Sequence, residues 1–426
     1  MNISPSAPCG GHEWFNGETA PTGVYIVMTA QIHPGTTGSP SGAAGPTGAA
    51  GTAGVSGTAG TAAMAGLLPS QQPIRFLDDD GALAPDAERG RFDLPPTPLL
   101  LEAHRRMVVG RRFDAQATAL TKQGRLAVYP SSRGQEACQV GGVLALRPTD
   151  WLFPTYRDTM ALVTRDIDAV EALTLLRGSW HCGYDPLTTH TAPQCTPLAT
   201  HSIHAAGLAH AAWLRGEDTV AMVFVGDGGT SEGDFHEALN FAAVFHVPVV
   251  FLVQNNGFAI SVPLSRQSAA PTLAAKGVGY GIRSEHVDGN DAVAVQSVLL
   301  DAVESARRGE GPVLVEAHTY RVEPHTNSDD PSRYRDSAEV EAWRLRDPIQ
   351  RLETYLTASG ALTDEQLGGA REEAETFAAG VRTRMNEEPH VDPGELFAHV
   401  YAEPTPQLRE QAAWLRAEID ADGGEH

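Results

Sequence analysis

Residues 219–225 form a continuous apolar run that stops at Gly226-Asp227-Gly228-Gly229. A run of this kind reads as a strand buried on both faces, and such strands belong to parallel sheets covered by helices. Ser231 is placed to cap a following helix that carries Phe235, Leu239, Phe241, Ala242 and Phe245. A second buried strand, residues 248–253, then runs into Gln254-Asn255-Asn256. Strand, helix, strand makes a right-handed parallel crossover. The fold class it predicts is α/β, a parallel sheet flanked by helices.

Ligands of such sheets bind in the crevice beyond the carboxyl ends of the strands. Asp227 and Asn256 are expected to meet there although they are distant in sequence. Gly226, Gly228 and Gly229 let the backbone approach a phosphate closely with amide N–H groups free to donate. The helix beginning near Ser231 adds its positive dipole end. A hard cation such as Mg2+ takes a few protein oxygens together with phosphate oxygens. The Asp227 carboxylate, the Asn256 side-chain oxygen and the Phe258 carbonyl make a suitable set. A lone Gly-Asp-Gly is an ordinary turn; joined to a helix, a second buried strand and Asn-Asn in register, it is specific. The first strand does not end in Gly-x-Gly-x-x-Gly, which disfavours a nicotinamide enzyme.

Around this unit, residues 95–124 and 134–146 are expected to be helical, with Pro148 closing the second. Further helices are expected near 167–177 and 205–214, a loop over 178–197, and a third core strand at 312–317. The charged, amphipathic stretch from 338 to about 417 reads as helix. Order is expected to begin near Ile74. The chain thus divides into a flexible tail (1–70), an α/β domain (71–335) and a helical extension packed on it (336–426). Within the tail a glycine recurs at every third position from Gly42 to Gly60. That run is short and has proline only at Pro46, so a collagen-like triple helix is disfavoured. A disordered tail, or upstream sequence ahead of a true start at Met64, is the expectation.

The net charge of −22 repels phosphate polyanions, which argues against nucleic-acid or membrane partners. Cys9, Cys138, Cys182 and Cys195 lack C-x-x-C spacing and read as reduced thiols. No signal sequence or membrane-spanning run is visible, and the expected location is cytoplasmic.

The run from Gly226 to Ser261 resembles the thiamine-diphosphate motif. From about residue 74 onward the chain is similar to the alpha subunits of pyruvate and branched-chain 2-oxo acid dehydrogenases, the E1 components of multienzyme complexes. The resemblance implies that Asp227, Asn256 and the Phe258 carbonyl hold Mg2+, while Gly226, Gly228 and Gly229 line the diphosphate. Residues 153–158 resemble the family's diphosphate-binding element, with Tyr156 as hydroxyl donor and Arg157 as forked cation. Residues 196–200 resemble the segment that cradles the aminopyrimidine, with Thr196 and Leu198 in those positions. In branched-chain enzymes that segment also holds K+, but His201 stands where a Gln is expected, so K+ stays open. Gln254 stands where some relatives direct an Arg at the phosphate.

Residues 320–335 resemble the active-site loop, which gives His325 and Arg321 the catalytic positions. A histidine titrates near neutrality and can stabilise or protonate an oxyanion. Pro324 replaces a second His, and Thr326 stands where some relatives carry a phosphorylated serine. Phosphorylation of Thr326 or Ser332 therefore stays open. His181, His190, His201 and His204 read as loop and packing residues.

The resemblance implies oxidative decarboxylation of a 2-oxo acid with thiamine diphosphate, the acyl group passing to a lipoyl arm on an E2 protein. The chain holds only a diphosphate-binding half, which implies an α2β2 heterotetramer in which a beta subunit contributes a Glu. Gly289-Asn290-Asp291 and Ser328-Asp329-Asp330 resemble branched-chain enzymes, which are favoured; the motifs around Asp227 and His325 also occur in pyruvate-type enzymes. A pyruvate (or acetoin) dehydrogenase is the alternative. Asp227, Asn256, Arg157 and His325 together speak against a non-catalytic assembly protein.

Overall fold

The computed structural model describes residues 67–389 and 392–421. The glycine triplets, Met64 and Cys9 lie outside the described residues. The strands are β1 (Trp151–Phe153), β2 (Ala221–Gly226), β3 (Val249–Asn255), β4 (Phe258–Ala259), β5 (Val262–Pro263), β6 (Arg283–Asp288) and β7 (Val313–His318). Five of them make a parallel sheet in the order β1-β2-β3-β7-β6, and β4 and β5 pair as a small antiparallel hairpin. The longer helices used below are α1 (Thr97–Lys122), α2 (Glu136–Leu144), α3 (Thr200–Arg215), α4 (Gly233–Val244), α5 (Ala292–Arg307), α6 (Pro348–Ala358), α7 (Asp364–Met385) and α8 (Pro406–Ala421).

Side chains alternate across the sheet and both faces are covered. Met222, Phe224, Val250, Leu252, Val313 and Val315 point into one apolar layer with α1, α2 and α5. Val223, Val225, Phe251, Val253 and Leu314 point into a second layer with α3 and α4. Burial on both sides explains why β2, β3 and β7 are apolar at nearly every position. Behind the first layer, Phe113, Ala117 and Leu120 of α1 pack on Val381 and Met385 of α7. Helix α8 buries no residue.

The expected α/β sheet and the motif-bearing helices and strands are present. The cap is not: Gly228–Ser231 forms a 3-10 turn, α4 starts only at Gly233, and neither Ser231 nor Glu232 caps it through a side chain. The GGTS turn is tied to Asp227 instead, because the Thr230 N–H and hydroxyl both donate to the Asp227 carbonyl at 3.1 and 2.7 Å. Strands β1 and β6, the β4–β5 hairpin and helix α5 have no counterpart among the sequence expectations. No helix among the described residues is long and apolar enough to cross a membrane. Cys138, Cys182 and Cys195 are free thiols.

Candidate active site

Four neighbouring strands deliver the candidate residues from one edge of the sheet. The turn after β1 carries Tyr156 and Arg157, and Asp227 follows β2. Asn256 and Phe258 follow β3, while Arg321 and His325 follow β7. All seven line one cavity of about 190 Å3, together with Leu198, Gly226, Gly228 and Gly229. The in-register pairing of Gly226 with Gln254 brings the ends of β2 and β3 level. The Asp227 carboxylate sits against the backbone N–H of Asn256. A Cβ on Gly226 would meet nothing within 4 Å, whereas one on Gly228 would stand 2.7 Å from that of Ala259. The turn therefore presses on the hairpin behind it and leaves its other side open to the cavity.

Asp227 is 1% exposed. Burial pushes its carboxyl above the usual range, and the amide of Gln267, donating at 2.7 Å, draws it part of the way back. The Asn256 side-chain oxygen accepts the Phe258 N–H at 3.2 Å, and the Phe258 carbonyl accepts from Arg321 Nη1 at 3.3 Å. The residues of this carboxylate, amide oxygen and carbonyl line one cavity, a hard-oxygen set of the kind Mg2+ takes.

The positive side of the cavity is equally buried. Arg157 gives Nη1 to the Ser131 carbonyl at 3.0 Å, while its Nη2 lies 3.1 Å from both the His325 carbonyl and His325 Nδ1. Arg321 is 1% exposed and gives Nη2 to the Ile260 carbonyl at 2.7 Å; its Nε has no partner. Neither arginine forms a salt bridge with a carboxylate among the described residues. Burial first, and then the charges of Arg157 and Arg321, pull the His325 imidazole down to about 4. The ring is neutral at pH 7. Guanidinium donors flank Nδ1, so Nδ1 accepts and the ring proton resides on Nε2.

A series of buried amides runs along the cavity wall. Asn256 Nδ2 donates to Gln135 Oε1 at 3.2 Å, and Gln135 Nε2 to Gln254 Oε1 at 3.0 Å. Gln254 Nε2 then donates to Asp158 Oδ1 at 2.8 Å. The other oxygen of Asp158 accepts the Thr155 N–H and hydroxyl at 2.7 and 2.6 Å.

The family model described as "Dehydrogenase E1 component" matches residues 104–387, most of the chain. The chain belongs to the dehydrogenase E1 component family. Among E1 relatives, the 3-methyl-2-oxobutanoate dehydrogenase subunit alpha of Mycobacterium tuberculosis is 45% identical over 348 residues, 82% of this chain and 94% of that protein. The pyruvate dehydrogenase E1 component subunit alpha of Acholeplasma laidlawii is 40% identical, covering 74% and 92%. A protein of the same description from Staphylococcus epidermidis is 37% identical, covering 74% and 85%. The resemblance drawn from the motifs is thereby borne out: this is an enzyme chain of the E1 type, a family that implies thiamine diphosphate.

Within the E1 fold most of the expected residues meet, and one does not. Thr196 is exposed and off the cavity wall, although Leu198, two residues on, lines it. His201 gives Nε2–H to the Phe224 carbonyl at 2.6 Å, and so brings no oxygen to the place where K+ is in question. Of the residues that sequence reasoning missed, Gln135 lines the cavity and Asp114 stands behind it. Gln135 lies at the start of α2, next to Gly134, which has φ +97° and where a Cβ would collide with the Tyr320 carbonyl oxygen. Asp114, buried in the middle of α1, accepts from Tyr129 and Ser131 hydroxyls and from the Ser132 N–H at 2.7–3.0 Å. It thereby fixes the Ser131 carbonyl that Arg157 uses. The lone Asp between Phe113 and Ala117 in an apolar-facing stretch was the one available signal.

Proposed function

We propose that the chain is the alpha subunit of a thiamine-diphosphate-dependent 2-oxo acid dehydrogenase acting on a branched-chain substrate of the 3-methyl-2-oxobutanoate type. One observation carries the proposal: two buried guanidiniums without carboxylate partners face a buried carboxylate and an amide oxygen across one cavity. A Mg2+–diphosphate pair supplies both of the missing charges. Thiamine diphosphate, when bound, supplies the electron sink that lets a 2-oxo acid lose CO2.

The chain's own residues divide the remaining work. Asp227, Asn256 and the Phe258 carbonyl hold Mg2+. Arg157 and Tyr156 bind the diphosphate with the N–H groups of the Gly226–Gly229 turn, each charge-assisted bond contributing about 1.5–3 kcal/mol. Leu198 and the neighbouring Thr196 backbone support the organic ring. Neutral His325 holds its proton at Nε2, from which it can donate to a developing oxyanion. Arg321, with two nitrogens on the Phe258 and Ile260 carbonyls, positions the hairpin that carries a metal ligand.

The cavity is smaller than the roughly 300–1,000 Å3 of complete ligand pockets, and its rim exposes Leu198 and Ile260 at 39% and 56%. Both facts support a beta subunit that closes the site in an α2β2 assembly. The lipoyl domain of an E2 protein is then the acyl acceptor, and the cytoplasm the compartment. The branched-chain substrate is supported by 45% identity to a 3-methyl-2-oxobutanoate enzyme against 40% and 37% to pyruvate enzymes. The test is co-expression with the beta subunit. It should give Mg2+-dependent thiamine diphosphate binding, and 3-methyl-2-oxobutanoate should be decarboxylated faster than pyruvate with an artificial electron acceptor. Equal cofactor binding by Asp227→Ala would remove the metal assignment, and a preference for pyruvate would select the second substrate.

A further inference from the structure

We propose that Asp158 is a positioning residue that determines which end of the Asn256 carboxamide faces the cation, acting through Gln254 and Gln135. The proposal rests on Asn256 being a metal ligand. A carboxamide is nearly symmetric in shape, so its oxygen and nitrogen ends exchange by a simple flip unless hydrogen bonding forbids it. Asn256 needs its oxygen towards the cavity, where the Phe258 N–H already donates to it at 3.2 Å.

What forbids the flip is a relay of four buried side chains. Asp158, Gln254, Gln135 and Asn256 are exposed by 0%, 2%, 2% and 6%, so water does not substitute for a lost partner. An ionised carboxylate only accepts. Asp158 takes two donors from Thr155 on one oxygen and the Gln254 NH2 on the other. Gln254 must therefore turn its oxygen to Gln135, which turns its own oxygen to the Asn256 NH2. Reversing any one amide alone sets oxygen against oxygen or N–H against N–H inside a dry site. The sign of Asp158, which lines the same cavity, is thus expressed at Asn256 three residues along the relay, with no hydrogen bond between Asp158 and Asp227, Asn256 or Phe258 among the described residues.

The test uses the α2β2 enzyme and the metal itself. In Asp158→Asn the Thr155 N–H claims the only remaining oxygen, so an NH2 faces Gln254 and the whole series reverses. Adding Gln254→Glu restores an acceptor towards both neighbours and returns Asn256 to its original orientation, with the total charge of the wild type. Mn2+ binding by electron paramagnetic resonance, and the calorimetric Kd of thiamine diphosphate at limiting Mg2+, give readouts independent of turnover. Asp158→Asn is expected to raise the metal requirement about tenfold, the scale of one lost bond to a charged group, and the double variant to reverse most of that change. An unchanged metal requirement in Asp158→Asn, or a double variant no better than the single one, overturns the proposal. Should the single variant fail to assemble, the double variant decides alone: wild-type metal binding supports the relay, and weak binding or misassembly overturns it. Asp227→Ala separates the levels. Metal dependence unchanged there removes the ligand assignment itself, whereas loss there with an unaffected Asp158→Asn removes only the relay.

Discussion

Arg351 and Arg321 are almost equally buried, at 2% and 1% exposure, yet they are neutralised in different ways. Arg351 on α6 meets Asp288 at 3.2 Å and Asp291 at 3.9 Å, and Arg75 reaches the same Asp288 at 3.0 Å. Two cations face two carboxylates, and the cluster holds residues 76–78 against the start of α5, since the Phe76 and Leu77 N–H groups also donate to Asp291. Around the cavity, Arg321 and Arg157 have carbonyls, a tyrosine hydroxyl and a histidine, but no carboxylate partner among the described residues. A buried charge without a counter-charge is costly. The charge of Arg351 is matched within the chain, whereas those of Arg157 and Arg321 meet no carboxylate among the described residues.

Three substitutions test that contrast, the largest effect first. Arg351→Met leaves buried Asp291 without a cation and Asp288 with Arg75 alone, and should cost about 3–5 kcal/mol of stability in denaturant unfolding. The surviving folded protein should keep its thiamine diphosphate Kd; a changed Kd would mean that the two arginine sites are not separable. Arg157→Met should do the reverse. Its calorimetric Kd should weaken by about 1.5–3 kcal/mol, while the cofactor-free melting temperature holds or rises because an unmatched charge has gone.

The third and smallest effect is in pH dependence. His325 is pulled down to about 4 in the fold, from about 6.5 in an unfolded chain. Between those values the unfolded state takes up the proton and the folded state does not. The His325 contribution is therefore present above pH 6.5 and is lost as pH falls towards 4. Asp291 is shifted the opposite way, up to about 6 by burial, so its contribution diminishes as pH rises from about 4 to 6. Unfolding curves of cofactor-free His325→Asn should lose less stability on acidification than the wild type. Parallel curves would contradict a depressed His325.

The sequence disclosed the parts of the site that occupy strand ends, because there residue type and chain position are set by the same geometry. Asp227 after an apolar run and Asn256 after the next could be paired without coordinates. Strand β6 was not legible: Arg283-Ser284-Glu285-His286-Val287-Asp288 has the polar content of an edge, pairing with β7 and, beyond it, with Ile74 at a single bridge. Asp114 and Gln135 were illegible for a different reason. Their roles depend on loops that approach from elsewhere in the chain, and nothing local marks a polar side chain as the acceptor for such a loop. Ser231 misled because a good capping residue competes with other turns, and here the Thr230 bonds to Asp227 prevailed.

The four strand ends that build the cavity come from segments spread between Tyr156 and His325, and their spatial order across the sheet is β1, β2, β3, β7. Since β7 is the last of these to leave the ribosome and inserts between β3 and β6, no shorter nascent chain possesses the complete cavity wall with Arg321 and His325. Cofactor loading must then follow synthesis of the whole sheet, and a chain stalled before residue 325 would be both unloaded and missing a central strand or its active-site loop.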